Sequence, residues 1–148
     1  MLVSQILVMK PAVSPDQLVT ITPETTVGEA TRVLAEKRIG AVVVSDAAGK
    51  LTGILSERDI VRELGRHGPE VLDKPVGELM TKGVHTCHSA DDALVVLDRM
   101  TQGRFRHLPV VDDSGQMIGI VSIGDAVSAR LKELAAEKEA LTGMIMGN

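Results

Sequence analysis

The fold of this chain is decided by the stretch from residue 104 to residue 125, which reads RFRHLPVVDDSGQMIGIVSIGD. Two short aliphatic runs lie on either side of a turn sequence, Asp112-Asp113-Ser114-Gly115, and this pattern predicts a β-hairpin. A helix is expected to begin at Ser122, directly after the second strand. The stretch therefore predicts a hairpin that leads into a helix.

The same pattern occurs once more, 66 positions earlier in the chain. Gly53-Ile54-Leu55-Ser56 aligns with Gly119-Ile120-Val121-Ser122 without a gap. The shift also matches identical residues elsewhere: Thr20 with Thr86, Arg38 with Arg104, Val44 with Val110, Asp46 with Asp112, Gly49 with Gly115 and Asp59 with Asp125. The chain thus contains one supersecondary unit twice, which predicts a pseudo-twofold axis with a pair of related clefts on it.

Composition narrows the class of protein. The chain has 148 residues, of which 44% are hydrophobic and 24% charged, and one repeat alone would be marginally stable, so we expect the two copies to share a core. A net charge of -4 and scattered Lys and Arg residues argue against a nucleic-acid partner. Phe105 is the single aromatic residue, which excludes stacking platforms for bases.

The single cysteine, Cys87, favours a reducing compartment, and no basic leader or membrane-length apolar run is seen. We therefore predict a cytoplasmic protein.

Each copy is predicted to fold as a β-α-β-β-α unit of the α+β class. In the first copy we expect strands at 19–23, 41–45 and 51–55, a helix capped by Thr26, and a helix from Ser56 to about Arg66. In the second we expect strands at 85–88, 108–111 and 117–121, a helix capped by Asp91 or Asp92, and a helix from Asp125 to about Lys138.

A short helical lead-in precedes each copy, at 3–9 and at 76–80. The predicted boundaries are a first repeat with its lead-in at 1–66, an ordered connector at 67–75, a second repeat with its lead-in at 76–131, and a helical tail at 132–148. The Met and Leu residues of that tail are interpreted as a packing or dimer surface.

Each hairpin ends in a Ser-x-x-Asp corner, Ser56 to Asp59 in one copy and Ser122 to Asp125 in the other. A capping box explains both corners, with Ser at the N-cap and an acid at N3. An anion site is the alternative, in which free N–H groups and the Ser hydroxyl meet a phosphate and the Asp accepts ribose hydroxyls. Two features favour the ligand: Asp stands where Glu would be the better reciprocal cap, and the glycine in the preceding strand lets a ligand approach the backbone.

The duplicated unit, with Arg-His-Leu-Pro-Val-Val-Asp at 106–112 and Gly-Ile-Val-Ser-Ile-Gly-Asp at 119–125, resembles a tandem pair of cystathionine-β-synthase (CBS) domains, the Bateman module. The resemblance runs from about Val3 to Leu131 and leaves no room for a catalytic domain. It implies an adenosyl ligand (AMP, ADP, ATP, NAD or S-adenosylmethionine) in clefts between the repeats, and disc-like homodimers built through the helices.

The resemblance also assigns site residues. Asp59 and Asp125 would hold ribose, Ser56 and Ser122 would hold phosphate, and Thr22 would face the Asp125 cleft. That cleft would combine Ile39, Gly40 and Ala41 against the base with Ser122, Arg106 and His107 on the phosphate. The Asp59 cleft would use Arg58 and Ser56 for phosphate and Phe105 near the base, although His88 replaces Thr22 there and departs from the usual lining. Solvated surface charge explains Arg58 and Arg106 equally well.

His85, Cys87 and His88 suggest a metal site, but on a strand His88 points away from the other two, so three ligands do not converge. We interpret Cys87 as a buried apolar residue. Neither Cys87 nor Ser122 has a positioned base nearby in the sequence, which argues against nucleophilic catalysis.

The sequence favours a non-enzymatic adenine-nucleotide sensor, without a catalytic cofactor, that transmits its ligand state to an unidentified regulated protein. The alternative is an assembly module with vestigial clefts, whose helices and Met-rich tail bind another protein. A small enzyme acting on a nucleotide is a third and weaker hypothesis.

Overall fold

The computed structural model of the protein describes residues 1–9 and 19–146. Its helices and strands follow the predicted order twice, so the α+β class and the β-α-β-β-α repeat are confirmed. In chain order the elements are α1 (Val3–Met9), β1 (Thr20–Ile21), α2 (Val27–Lys37), β2 (Ala41–Ser45), β3 (Leu51–Ser56), α3 (Glu57–His67), a 3-10 turn (Pro69–Asp73), α4 (Val76–Leu79), β4 (Cys87–His88), α5 (Ala93–Gly103), β5 (His107–Val111), β6 (Met117–Ser122) and α6 (Ile123–Ile145).

Each repeat builds a three-stranded sheet with the same register. β1 runs parallel to β2, which forms an antiparallel hairpin with β3, and β4, β5 and β6 repeat this arrangement. A β-bulge follows Val44 in one hairpin and Val110 in the other. The registers place Ala41 opposite Ser56 and His107 opposite Ser122. In both hairpins, the residue that begins the helix therefore lies beside the first residue of the middle strand.

The turns are also duplicated. Gly49 and Gly115 adopt φ angles of 81° and 85° at the hairpin tips, a conformation that favours glycine. In the second tip the Asp112 carboxylate accepts hydrogen bonds from the Ser114 hydroxyl and from the Gln116 amide, which hold the pKa of Asp112 below its usual value. Arg38 and Arg104 end α2 and α5 in the left-handed conformation, and their amides donate to the carbonyls of Leu34 and Met100.

The described residues form two compact units, one containing 19–85 and the other containing 86–146 together with 1–9. Each unit has its own hydrophobic core, so the expectation of one shared core is wrong. The core of the first unit is formed by Val27, Ala30, Leu34, Val42, Val44, Leu55, Ile60, Val71 and Val76. The core of the second is formed by Val3, Ile6, Cys87, Ala93, Val96, Met100, Leu108, Val110, Val121, Ala126 and Ala129.

The lead-ins explain how a single repeat completes a core. The helix α1, which precedes the first repeat, packs on the second: Val3 and Ser4 donate their amides to the carbonyls of Asp91 and Ser89 at 2.9 Å, and the Ala93 amide donates to the Met1 carbonyl at 2.8 Å. Because α1 buries Val3 and Ile6 there, the second repeat gains the apolar surface that its own elements lack.

The lead-in α4 makes the equivalent bonds with the first repeat. Val76 and Gly77 donate to the carbonyls of Thr25 and Pro23 at 2.8 and 2.9 Å, and the Val27 amide donates to the Lys74 carbonyl at 2.9 Å. The boundaries predicted at 1–66 and 76–131 follow chain order, and they remain a prediction. The packing units differ from that order, because each repeat takes the lead-in that precedes the other one.

The last helix and the predicted helical tail form one element. The sequence predicts a last helix to about Lys138 followed by a helical tail, and α6 runs through both without a break to Ile145. Helix formers such as Glu139, Ala140 and Leu141 follow Lys138, so intrinsic propensity favours the continuation. Residues 147 and 148 of the predicted tail lie outside the described residues. No helix among the residues described is long and apolar enough to cross a membrane.

The strand glycines accommodate the lead-ins, which corrects the expectation that they admit a ligand. A Cβ atom at Gly53 would lie 2.5 Å from the Met80 sulfur and 2.9 Å from the Thr81 carbonyl oxygen. A Cβ atom at Gly119 would lie 2.8 Å from the nearest methyl carbon of Leu7. Both positions are therefore already covered by side chains of a lead-in segment.

The first prediction concerns these two glycines. We expect Gly53→Ala to lower the free energy of unfolding by about 1–3 kcal/mol, because the new methyl group meets a backbone oxygen as well as a side chain. We expect Gly119→Ala to cost less, since only the flexible end of Leu7 must move. Urea denaturation followed by circular dichroism measures both changes.

The matched control is Gly65→Ala in α3, where nothing lies within 4 Å of the added carbon. Alanine should stabilise that helix by about 0.5–1 kcal/mol. Equal effects at Gly53 and Gly65 would show that the lead-in does not press on β3.

Candidate functional site

The two Ser-x-x-Asp corners are capping boxes, as the first of the two interpretations predicted. Ser56 accepts the Asp59 amide at 3.2 Å through its hydroxyl, while the Asp59 carboxylate accepts the Ser56 amide at 3.0 Å. Ser122 and Asp125 make the same reciprocal bonds at 3.1 and 2.9 Å. Aspartate therefore completes both capping boxes, so its presence where glutamate would be the better cap does not by itself favour a ligand.

Most of the amides at these helix starts are already used, which limits what an anion could meet there. The Glu57 amide donates to the Gly40 carbonyl at 2.9 Å, and the Ile123 amide donates to the Arg106 carbonyl at 2.8 Å. In the described part of the chain, the amides of Arg58 and Gly124 have no hydrogen-bond partner, and both residues are exposed. Each corner thus offers an anion one backbone N–H group and the positive end of a helix dipole.

In the first corner the carboxylate is held on both oxygens. One Asp59 oxygen accepts the Ser56 amide, and the other accepts the Arg62 guanidinium at 2.9 Å. Asp59 is the one charged residue that is buried among the residues described, with 7% of its surface exposed. A ligand hydroxyl that approached this carboxylate would have to share it with Arg62 or displace that side chain.

In the second corner, four residues proposed for a phosphate and a ribose come together. His107 lies opposite Ser122 in the hairpin register, and Arg106 is tied to the helix start by its carbonyl. Asp125 is half-buried, while the Arg106 side chain is exposed. One helix start therefore carries a hydroxyl, a carboxylate, a guanidinium and an imidazole within its own unit.

The corresponding positions of the first corner carry smaller groups. Ala41 lies opposite Ser56, and Gly40 binds the Glu57 amide where Arg106 binds the Ile123 amide. Arg58 is exposed one residue after the start of α3. The predicted combination of Ile39, Gly40 and Ala41 with the second corner joins residues of two different units, and it remains a prediction.

Thr22 does not join the corner of its own unit. Ile21 pairs with Val44, so Thr22 follows at the far end of the sheet, about 13 Å along the strand from Ala41. Its hydroxyl lies 3.1 Å from that of Thr25. The assignment of Thr22 to the Asp125 cleft, in the other repeat, remains untested.

Phe105 and Ile39 occupy matched positions, and both pack on the core of their own unit. The Phe105 side chain is half-buried there, beside Gly103. A base would contact the exposed part of each side chain. The contacts predicted between these two residues and a base remain predictions.

Cys87 is a buried core residue, as predicted. It is fully enclosed in the second unit, and burial raises the pKa of its thiol to about 11. Among residues 1–9 and 19–146, no group of three His, Cys, Asp or Glu side chains is placed to hold a metal ion.

Comparison with known proteins identifies the repeat. The CBS domain family matches the chain twice, over residues 3–66 and 76–132. The chain belongs to the CBS domain family.

Solved structures of CBS proteins match most of the chain. A CBS-domain containing protein from Agrobacterium tumefaciens shares 40% sequence identity, with a TM-score of 0.81 over 88% of this chain and 99% of that protein. A CBS domain protein from Pyrobaculum aerophilum, complexed with AMP, shares 26% identity with a TM-score of 0.76 over 92% of this chain and 99% of that one. A CBS domain pair in complex with 5′-methylthioadenosine and S-adenosyl-L-methionine shares 29% identity with a TM-score of 0.72, covering 93% of this chain and 98% of that pair.

The curated relatives differ in length. An uncharacterised 17.7 kDa protein from Acidianus ambivalens is 34% identical over 119 residues, which cover 80% of this chain and 71% of that protein. The CBS domain-containing protein CBSCBSPB1 from Arabidopsis thaliana is 33% identical over 132 residues, but this CBS pair covers only 24% of its length against 86% of this chain.

One residue of this CBS pair, Arg62, was missed by sequence reasoning. The signal was present, because Asp59 and Arg62 stand three residues apart on a helix, a spacing at which side chains meet. The matching residue of the second repeat is Ser128. The two corners of the CBS pair therefore differ at two places: at the start of the middle strand, and on the helix three residues after the aspartate.

The second prediction separates the structural role of the corners from ligand binding. We expect Ser122→Ala to lower the free energy of unfolding by about 1 kcal/mol without any ligand, because the Asp125 amide loses its cap. Ser128→Ala, an exposed site in the same helix, is the control and should change stability by less than about 0.5 kcal/mol. A cost for Ser128→Ala as large as that for Ser122→Ala would contradict the capping role.

The third prediction concerns Cys87. We expect a thiol reagent at pH 8 to label the folded protein far more slowly than the protein in urea, since the thiol is buried and its pKa is raised to about 11. Labelling followed by mass spectrometry measures both rates. Equal rates would show that this part of the core opens freely.

Proposed function

We propose that this CBS pair is a non-enzymatic regulatory module that binds an adenosyl nucleotide and transmits its ligand state to another protein. The second corner carries the proposal. There, Ser122, Asp125, Arg106 and His107 gather around one helix start. The single cysteine, which is free and buried, leads us to propose a reducing, cytoplasmic location as well.

The adenosine part of the ligand is inferred from CBS relatives of known structure. One of them is complexed with AMP and another with 5′-methylthioadenosine and S-adenosyl-L-methionine. These ligands share adenine and a ribose with vicinal hydroxyl groups. A carboxylate that accepts hydrogen bonds from both hydroxyls would recognise any of them, and we assign this role to Asp125.

The charge of the second corner selects among these ligands. Arg106 is exposed beside a helix N-terminus that carries one unpaired amide at Gly124, and both groups attract an anion. A phosphate is such an anion, whereas S-adenosylmethionine carries a sulfonium cation next to its ribose. We therefore propose AMP, ADP, ATP or NAD ahead of S-adenosylmethionine.

The caps do not saturate the carboxylates. A carboxylate offers about four acceptor positions, and each cap uses one of them through a serine amide. At Asp59 the Arg62 guanidinium also covers the second oxygen. We expect the nucleotide to depend more on Asp125 than on Asp59, because Arg106 and His107 stand beside the second corner where Gly40 and Ala41 stand beside the first.

A regulatory role requires that the ligand bind two arrangements of the protein unequally. The proposal assigns no chemical step, since both corner serines use their hydroxyl oxygen to accept a helix amide. The regulated protein is unidentified.

The capping boxes also favour a second candidate function, an assembly module that has lost nucleotide binding. If the two aspartates serve only their helices, partner binding should survive Asp59→Asn with Asp125→Asn and should not respond to nucleotide. Loss of partner binding in that double variant, or a nucleotide effect in the wild type, would instead support the sensor.

The fourth prediction tests the sensor directly. We expect at least one of AMP, ADP, ATP and NAD to raise the melting temperature, because a ligand at one hundred times its Kd adds about 2.7 kcal/mol of stability. Asp125→Asn should reduce the shift strongly, and Asp59→Asn should reduce it less. Differential scanning fluorimetry and isothermal titration calorimetry measure the shift and the affinity.

Asp113→Asn is the matched control for that experiment. It removes the same charge from the same unit but lies at the exposed hairpin tip, at the opposite end of β5 and β6 from the corner. Its ligand response should equal that of the wild type. No shift with any of these nucleotides or with S-adenosylmethionine would refute the sensor.

A further inference from the structure

The carboxylate of the first corner is paired with a cation on its own helix. Arg62 donates through Nη2 to Asp59 Oδ1 at 2.9 Å, one turn further along α3. A base that follows an acid by three residues is well placed for such a pair. The matching residue of the second repeat is Ser128, which is exposed and uncharged. The two repeats thus differ in whether a cation follows the corner aspartate at this spacing.

A second carboxylate helps to position the guanidinium. Glu63 Oε1 lies 3.7 Å from Arg62 Nε, so Arg62 stands between two acidic side chains. The side chains of Asp59 and Glu63 are 10% and 23% exposed, whereas that of Arg62 is 48% exposed. Solvent therefore reaches the arginine more readily than either carboxylate beside it.

The two corner carboxylates differ in exposure although their caps are alike. Asp59 and Asp125 accept the amide of the capping serine at 3.0 and 2.9 Å. Asp59 is nevertheless buried, whereas Asp125 is half-buried. The arginine at position 62 reaches its aspartate, while the serine at position 128 is too short to cover a carboxylate in the same way. The less accessible carboxylate is thus the one that the arginine covers.

We propose that Arg62 is a specificity-determining residue that keeps a ribose from the first corner, an inference that rests on the proposed function. Acceptor positions remain on Asp59, but a ribose must displace the guanidinium to reach them. A hydrogen bond from a guanidinium to a carboxylate is charge-assisted and about twice as strong as one between neutral groups. A ribose hydroxyl that takes the place of Arg62 therefore exchanges a stronger bond for a weaker one.

The size of the effect follows from the exposure of the pair. Because half of the Arg62 side chain already meets water, its release recovers part of the lost energy, as for other exposed ion pairs. We therefore expect Arg62 to weaken ribose binding at the first corner about tenfold, rather than to abolish it. Asp125 has no arginine at this spacing, so the second corner does not carry this penalty.

The fifth prediction is tested with the second corner disabled. Isothermal titration calorimetry with AMP, ADP, ATP and NAD compares Asp125→Asn with Asp125→Asn plus Arg62→Ser. The added substitution should tighten binding about tenfold, and a third change, Asp59→Asn, should remove the gain. The sign is diagnostic, because loss of a cation by itself weakens the binding of an anionic nucleotide.

The matched control is Arg66→Ser in the same Asp125→Asn protein. Arg66 carries the same charge one turn later on α3, and its guanidinium lies 3.8 Å from Glu63. Its loss should not tighten binding. Circular dichroism of every variant checks that α3 remains helical.

The reciprocal change tests the same idea at the second corner. Ser128→Arg in the otherwise native chain places an arginine three residues after Asp125, and it should weaken nucleotide binding about tenfold although it adds positive charge. Ser128→Ala adds no cation and should leave the affinity nearly unchanged. An affinity for Ser128→Arg equal to or tighter than that of the wild type would contradict the proposal.

The outcomes separate this inference from the function on which it rests. If the wild type binds a nucleotide through Asp125 but Arg62→Ser brings no gain, the role of Arg62 is refuted and the sensor stands. Weaker binding in Arg62→Ser would overturn it as well, because Arg62 would then contact the ligand. If the wild type binds none of the four nucleotides, the sensor is refuted. Binding gained through Asp59 in Arg62→Ser would in that case still support the role of Arg62, and no gain would refute it.

Discussion

The structure depends on three backbone hydrogen bonds that attach each lead-in to a repeat. Backbone bonds do not depend on side-chain identity, which explains why Val76–Leu79 and Val3–Met9 dock alike although their sequences differ. The side chains then decide how much apolar surface is buried. Because a β-α-β-β-α repeat is too small to complete a core alone, the docked lead-in supplies the missing layer, and the glycine in the third strand leaves room for it.

The capping box at each helix start stabilises the helix and also holds in place the groups that a ligand would contact. Ser122 and Asp125 satisfy each other's amides, so the corner is ordered before any ligand arrives. An ordered corner costs less conformational entropy on binding than a flexible one. The same bonds reduce what is left for a phosphate, since the N1 and N3 amides are already engaged. Specificity for an anion would then rest on side chains such as Arg106 rather than on the backbone.

Local sequence patterns predicted most of the fold. The ungapped shift of 66 positions gave both hairpins, their helices and the corner residues, because strand alternation, turn glycines and caps are determined by nearby residues. The partner of each lead-in could not be predicted, since Val3 and Val76 are compatible with either repeat and the nearer one in sequence is the wrong one. The close approach of Met80 to Gly53 could not be predicted either, because the two residues are distant in sequence. Arg62 was predictable from its spacing to Asp59, although the second repeat has Ser128 at the matching position.

The differences between the two copies bear most directly on function. In the alignment of the two copies, Arg106 and His107 of the second correspond to Gly40 and Ala41 of the first, and Ser128 corresponds to Arg62. These differences change the polar and charged groups at the corners, while the strand registers and the capping boxes of the two repeats are the same. The first corner holds its carboxylate internally, with the cation on the same helix. In the second corner the exposed Arg106 lies directly before β5, and its carbonyl accepts the Ile123 amide at the helix start. The fold is thus symmetrical while the chemistry is not, and this asymmetry favours one principal nucleotide site over two equal ones.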